Sequence, residues 1–331
     1  MAAVFRALFT TSIITHCTFI VLTLAAESAY AQWKPEKPVE YVIGFAAGGG
    51  NDKTARVMQK IWKESKWLEN IQVVNKVGGG GALSYTYTNQ HPGDAHYIAV
   101  AQMGLVTNQL LGRSPMHFND LTPLAMVGNE PVGIAVRADS PIKDAKDFMA
   151  RLKADPASLS ISVGSTLGAS NHFAVGALAK AAGVDPKKLK ILTFGGGAES
   201  VTNLLGGHID AMSQAINNAI PYYQAGTMRI IGLSTAQRSP TLPDVPTFRE
   251  QGFDVVIDGW TVVVGPRGLT QDQIAYWEAM LEKTVNHPEW KKYLEAFSWV
   301  WEFKKSQATR DYLKKEHDDA RRMLMELGMI K

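Results

Sequence analysis

The feature that most constrains the fold of this sequence is a strand, a glycine-rich turn and a helix that recur as one unit. Residues 39–46 have the apolar character of a buried strand, Gly48-Gly49-Gly50 interrupt it, and Asp52 begins an amphipathic helix. The unit returns at residues 71–74, which glycines 78–81 follow. Strands that alternate with helices indicate parallel sheets covered on both faces, so the sequence predicts an α/β protein.

A second series of the same units follows in the middle of the chain. Residues 160–163 predict a strand, residues 164–170 a turn and residues 171–182 a helix. The strand predicted at 191–194 is again followed by a glycine turn and a helix. Two comparable halves are therefore expected. We expect the chain to return to the first half near Asp254 and to end in three amphipathic helices.

The first 31 residues have the composition of a secretory signal peptide. Arg6 precedes an almost uncharged apolar run, and the stretch ends in Ala29-Tyr30-Ala31, after which we expect cleavage. Cys17, the only cysteine of the sequence, lies in this run. The mature protein is therefore expected to be exported, without disulfides or cysteine-based sites. No later apolar run is long enough to span a bilayer, so no membrane insertion is expected after processing.

Charge and motif content exclude several classes of function. The formal net charge is +3 with acids and bases interspersed, whereas nucleic acid binding needs a concentrated basic face. A dinucleotide fingerprint fails because Lys53 stands where its third glycine belongs. A nucleophile elbow requires a serine at the centre of its five residues, whereas Ser165 is the second of residues 164–168. The histidines lack metal-ligand spacing, so neither a metal nor another cofactor is expected.

The turns after the strands carry the residues best suited to bind a ligand. In residues 46–52, glycines precede a helix whose free N–H groups and dipole favour a carboxylate. The alternative is a tight turn in which Asn51 or Asp52 caps the helix. Residues 164–172 hold several hydroxyl and amide donors before another helix, more than one cap requires. Ligands of open α/β sheets bind at such turns, so we predict an anion site there.

Other segments leave a choice between structure and ligand binding. Glycines 78–81 are expected to form a structural loop, and glycines 195–197 are interpreted either as packing or as a pocket wall. Trp260 follows Asp258-Gly259 and is either a core residue or the lid of a pocket. Asn217 and Asn218 are candidate donors to a ligand, with a surface turn as the alternative.

Several segments together resemble one protein family. They are residues 48–56 in a Gly-Gly-x-x-Asp-x-x-Ala-Arg pattern, Asn75 with residues 78–81, residues 164–172, residues 195–198 with 204–210, and residues 242–247 with Glu250 and Gly252. Each segment is short, but their order and spacing together are specific and extend over nearly all of the mature length. In these segments the chain resembles the tripartite tricarboxylate transporter substrate-receptor family, also called the Bug family.

The resemblance implies a two-lobed periplasmic-binding-protein fold, or Venus flytrap, with each lobe a mostly parallel sheet flanked by helices. Lobe 1 is expected to comprise residues 32–135 and 255–331, and lobe 2 residues 136–254. A small organic carboxylate, either a di- or tricarboxylate or an aromatic acid, is expected to be gripped between loops 46–52 and 164–172. The implied protein is a periplasmic monomer that catalyses no reaction and serves the membrane permease subunits of a tripartite tricarboxylate-type transporter.

The residues expected to contact the ligand lie in these two loops and in a few neighbouring segments. They are Phe45, Ala47, Gly48, Gly49, Asn51, Asp52, Gln102, Ser165, Thr166, Ser170, Asn171, His172, Gly196, Asn217 and Trp260. Two other functions remain as alternatives. One is a periplasmic hydrolase or isomerase that uses His172 or Asp52 as a base, and the other is a receptor that feeds a sensor with a non-carboxylate ligand.

Overall fold

The computed structural model describes residues 33–331, so the predicted signal peptide and Cys17 lie outside the described residues. Pro35–Lys331 form one unit of alternating strands and helices. The strands are β1 (Val39–Ile43), β2 (Ile71–Asn75), β3 (Tyr97–Ala101), β4 (Thr122–Arg137), β5 (Ser160–Ser162), β6 (Lys190–Leu192), β7 (Ala211–Ala215), β8 (Met228–Leu233), β9 (Asp258–Gly265) and β10 (Lys304–Lys305). The helices are α1 (Gly50–Glu64), α2 (Ala82–Asn89), α3 (Gly104–Leu110), α4 (Ala145–Ala154), α5 (Ser170–Ala181), α6 (Gly197–Leu205), α7 (Ile220–Gln224), α8 (Gln271–Val285), α9 (Pro288–Ala296) and α10 (Ser306–Glu326).

The sheet contains the same three-strand arrangement twice. β1 lies between β2 and β3 and pairs with both in parallel, and β5 lies between β6 and β7 in the same way. β9 pairs antiparallel with β3 and β4, and β4 pairs antiparallel with β7 and β8. The predicted α/β fold is confirmed. The sheet is mixed, because only the strands of the strand–helix–strand units have the crossover that parallel pairing requires.

Strand β4 connects the two halves of the sheet. It pairs with β9 as far as Pro131, which lies opposite Asp258, and it pairs with β7 from Val132 onward. Proline has no N–H to donate, so the ladder changes partner at a residue that supplies one hydrogen bond fewer. The expected lobe boundaries at 135/136 and 254/255 stay a prediction, and the change of strand partner lies a few residues before the first of them.

Burial explains why the first strand and helix form where they do. β1 is almost wholly buried, which is typical of a parallel strand covered on both faces. In α1 the buried residues Ala55, Met58, Ile61 and Trp62 recur at intervals of three, three and one, so they share one face of the helix. Within residues 33–331, every helix is too short or too polar to cross a bilayer.

The C-terminal helices complete the packing of both halves. The three amphipathic helices predicted at the C-terminus are present as α8, α9 and α10. Leu324 of α10 and the following Leu327 belong to the same buried cluster as Phe173 of α5. Glu326 forms an ion pair with Lys180 of α5 at 2.5 Å. The last helix therefore contacts the second half of the fold as well as the first.

Trp62 tests how strongly α8 holds the first half together. Its indole Nε1 donates to Thr284 Oγ1 of α8 at 2.6 Å, and its ring stacks on Tyr41. Trp62→Phe removes a buried hydrogen bond, so we expect a loss of about 2 kcal/mol in the free energy of unfolding, measured by urea denaturation. Trp301→Phe is the control, because Trp301 is 52% exposed and water replaces its partner. Equal losses in the two variants would contradict this account.

Candidate functional site

A cavity of about 840 Å³ lies at the carboxyl ends of the parallel strands. The loops that follow β1, β2 and β3 line it from the first half of the fold, and those that follow β5, β6 and β7 line it from the second. Open α/β sheets bind ligands at this edge, and the volume is in the range of small-molecule sites. The repeated three-strand arrangement therefore places two equivalent sets of loops around one cavity.

The first loop is held by a carboxylate behind it. The N–H of Gly48, which has φ +79°, donates to Asp52 Oδ2 at 2.9 Å. Arg56 and Asn75 donate to the same carboxylate at 2.8 to 3.0 Å. Burial raises the pKa of Asp52, but these hydrogen bonds outweigh it and hold the pKa below its ordinary value. Asp52 is thus an anion that shapes the loop.

The second loop uses a histidine for the same purpose. The N–H of Gly168, with φ +80°, donates to His172 Nδ1 at 3.1 Å. Burial, helped by the charge of Arg113, lowers the pKa of His172 to about 4, so the ring is neutral and can accept. In the third loop, the Gly195 N–H donates to Glu199 Oε2 at 2.6 Å. In each loop a glycine N–H thus binds the side chain four residues later.

These bonds leave the N–H groups of the next helical turn free for a ligand. The first intrahelical bond of α1 runs from Lys53 N to Gly49 O. Within the described part of the chain, the N–H groups of Gly50 and Asn51 have no acceptor, and the same holds for Ser170 and Asn171 of α5. All four residues line the cavity, so two helix N-termini offer neutral donors to an anion.

The structure brings most of the predicted contact residues together. The cavity is lined by Phe45, Ala47, Gly48, Gly49, Asn51, Gln102, Ser165, Thr166, Ser170, Asn171, Gly196, Asn217 and Trp260. Asp52 and His172 do not line it, because each turns back to accept the N–H of its own loop. Trp260 is 1% exposed and donates to Glu316 Oε2 at 2.9 Å, so it is both a core residue and part of the wall.

Two neighbouring segments also take part in the cavity wall. Glycines 78–80, where a structural loop is predicted, line the cavity. This loop passes so close to α3 that a side-chain Cβ at Gly104 would lie 2.0 Å from Gly80 O, and Asn108 donates to Gly79 O at 2.9 Å. Lys53 is the fourth residue of α1 and directly follows the first loop. It is exposed but also lines the cavity.

Sequence reasoning misses one buried acid in the cavity wall. Glu130 of β4 is 6% exposed, and its Oε1 accepts from Asn217 Nδ2 at 2.5 Å and from Trp299 Nε1 at 3.3 Å. Burial raises the pKa of Glu130 to about 7, against the opposing effect of its hydrogen bonds. The available signal is the one acidic residue of strand β4. Within residues 33–331, no cluster of His, Cys, Asp and Glu could hold a metal ion.

Comparison with known proteins agrees with this geometry. The model of the tripartite tricarboxylate transporter family receptor matches residues 55–329. The "UPF0065 protein in gbd 5'region" of Cupriavidus necator is 28% identical over 317 residues, 94% of each chain. MatC from Rhodopseudomonas palustris, solved with malate, has a TM-score of 0.78 at 23% identity, covering 88% of this chain and 100% of its own. An R. palustris protein solved with adipate has a TM-score of 0.82 at 21% identity, covering 89% and 98%.

Asp52 should be essential to the first loop although it does not line the cavity. Asp52→Ala leaves the Gly48 N–H without its acceptor, so we expect a loss of about 1–3 kcal/mol in the free energy of unfolding. The stability that Asp52 contributes is complete above the ordinary carboxylate pKa of about 4 and is lost as pH falls through the lower folded-state pKa. Urea denaturation between neutral and acid pH measures both effects.

Asp147→Ala is the matched control for the effect of Asp52→Ala on ligand affinity. Asp147 also accepts the N–H of the residue four positions before it, Lys143, and pairs with Arg151 four positions later, but it lies in α4 outside the cavity. We expect Asp147→Ala to leave ligand affinity unchanged, whereas Asp52→Ala weakens it. If both variants bind like the wild type, Asp52 has no part in shaping the loop.

Proposed function

Because this chain belongs to the tripartite tricarboxylate transporter receptor family, as its sequence predicts, we propose that it captures a small organic carboxylate between its two halves and delivers it to the permease subunits of such a transporter. A receptor of this family binds its ligand and does not transform it. Neither base of the enzyme alternative, His172 or Asp52, lines the cavity, since both are occupied within their own loops.

The observation that carries the proposal is the pair of helix N-termini in the cavity wall. α1 and α5 each present first-turn N–H groups without an acceptor among the described residues. A hydrogen bond to a charged acceptor contributes roughly 1.5 to 3 kcal/mol, and a helix dipole adds about 0.3 to 1. The carboxylates named for the two R. palustris structures, malate and adipate, are ligands of the kind that such donors favour.

The mechanism that we propose is closure of two lobes on the ligand. Each half contributes one helix N-terminus, so a carboxylate held by both stabilises the arrangement in which they are close. Lobe 1 would comprise residues 32–135 and 255–331, and lobe 2 residues 136–254. The hinge would lie within four residues of these two boundaries, where β4 changes partner at Pro131 and where the chain enters β9 at Asp258. Binding energy alone then drives the motion.

The place of action is also part of the proposal. We infer that residues 1–31 are removed as a signal peptide and that the mature chain works as a monomer in the periplasm. The composition of residues 1–31 supports this inference. A receptor at that location meets its ligand before the permease does, and the permease partners follow from the family.

A thermal-shift screen tests the carboxylate requirement. We expect adipate, malate or a related acid to raise the melting temperature, because a ligand at one hundred times its Kd stabilises the folded state by about 2.7 kcal/mol. The dimethyl esters of the same acids are the matched controls, since they keep the carbon chain and lose the charge. Stabilisation by the esters as large as that by the acids would contradict an anion site.

Small-angle X-ray scattering tests closure. With a saturating acid from the screen, we expect a smaller radius of gyration than without it, because the two lobes approach each other. The dimethyl ester of the same acid serves again as the control and should leave the scattering curve unchanged. An identical radius of gyration with and without a bound acid would exclude the clamp mechanism while leaving the binding function intact.

A further inference from the structure

Glu130 is a buried carboxyl in the cavity wall that lacks a cationic partner. It lies next to the partner change of β4, opposite Gly259 of β9. Its hydrogen-bond donors, Asn217, Trp299 and Gln102, are neutral side chains, and no lysine, arginine or histidine of residues 33–331 forms an ion pair with it. A buried charge without a counter-charge is costly, so the wall is incomplete without a further donor or cation.

Two amide oxygens near Glu130 are also without donors. Asn217 Oδ1 and Asn51 Oδ1 are buried, and neither has a hydrogen-bond partner. The orientation of the Asn217 amide is fixed by its donation to Glu130, since the flipped amide would place oxygen against oxygen. Asn51 donates to Gln102 at 2.9 Å.

The acceptors lie beside the anion cradle. A Cβ placed on Gly50 would lie 3.2 Å from Asn217 Nδ2 and 3.8 Å from Glu130 Oε1, so both side chains lie against the first residue of α1. Asn51 is the next residue of the same helix. The cavity therefore places backbone donors and buried acceptors side by side at one helix N-terminus.

A plain dicarboxylate does not complete this wall. Its carboxylate oxygens are themselves acceptors and cannot donate to Glu130, Asn217 Oδ1 or Asn51 Oδ1. A carboxylate beside an ionised Glu130 is also repelled by its charge. A protonated amine has three N–H donors and a positive charge, which suit Glu130, Asn217 Oδ1 and Asn51 Oδ1. A carboxylate on the same molecule can occupy the N–H groups of the cradle.

We propose that Glu130 is a specificity residue that selects ligands carrying a protonated amine beside a carboxylate, and this inference rests on the proposed carboxylate-binding function. Amine recognition would add to the cradle the discrimination that neutral N–H donors lack. The preferred ligand is then an amino acid or a related amino carboxylate, which binds more tightly than the simple dicarboxylate of the same length.

The proposal fixes the sign of the pH dependence. Lys53 and Glu199 are the other charged residues lining the cavity in the described chain. Burial, and less strongly the charge of Glu130, raise the pKa of Tyr293 on α9, so this phenol stays neutral. Asp258, next to Gly259 on β9, does not line the cavity. Burial, and less strongly the charge of Glu316, raise the pKa of Asp258 to about 6. An ammonium group favours ionised Glu130, so affinity for it should rise as pH increases through about 7.

Calorimetric titration with matched acids tests the proposal. The probes are aspartate against malate and 2-aminoadipate against adipate, at about pH 6 and about pH 8, either side of the Glu130 pKa. We expect the amino acid of each pair to bind more tightly, and increasingly so at the higher pH. Glu130→Gln should weaken the amino acids about tenfold or more, because a charged hydrogen bond is lost. It should leave malate and adipate unchanged or bound more tightly.

Glu278→Gln is the matched control, because Glu278 accepts the Ser306 N–H outside the cavity. It should leave every affinity unchanged. If malate or adipate binds more tightly than its matched amino acid, and binds more weakly as pH rises, Glu130 keeps a proton in the complex. That result overturns the proposal and leaves the carboxylate-binding function standing. Absence of binding by all four acids would instead count against the proposed function. The wild-type pH series decides the matter even if Glu130→Gln does not fold.

Discussion

The pairing of β4 with both halves of the sheet is the constraint on which the site depends. One strand, Thr122–Arg137, is bonded first to β9 and then to β7 and β8. A ladder fixes the register of its partners, so the loops that follow the parallel strands of each half end at the same cavity. The change of partner at Pro131 lies between Glu130 and Val132, which both line the cavity.

Three different side chains play the same role in the loops around the cavity. Asp52, His172 and Glu199 each accept the N–H of a glycine four residues earlier. An anion and a neutral imidazole are equivalent in this role because each offers a lone pair in the same position. The turn is thus satisfied internally, and the N–H groups of the following helical turn remain available to a ligand.

The sequence predicts the position of the site better than the roles of its residues. Strand–turn–helix units identify the loops because the carboxyl ends of parallel strands meet at one edge. Spacing does not reveal direction, so Asp52 and His172 are predicted as contacts although they face away from the cavity. Glu130 is missed because it lies in mid-strand, where only the partner change of β4 brings it to the wall. The lining by glycines 78–80 depends on their close approach to α3, a tertiary contact.

The donors and the acceptors of the cavity wall contribute unequally to selectivity. Backbone N–H groups at a helix N-terminus can donate to any carboxylate, because their geometry is the same for every acid. Discrimination must therefore come from groups that penalise the wrong ligand, and specificity is a difference between affinities. Glu130, Asn51 and Asn217 supply such a penalty, since a ligand that cannot donate to them leaves buried acceptors unpaired. The backbone donors hold the ligand, and the side-chain acceptors determine which ligand is held.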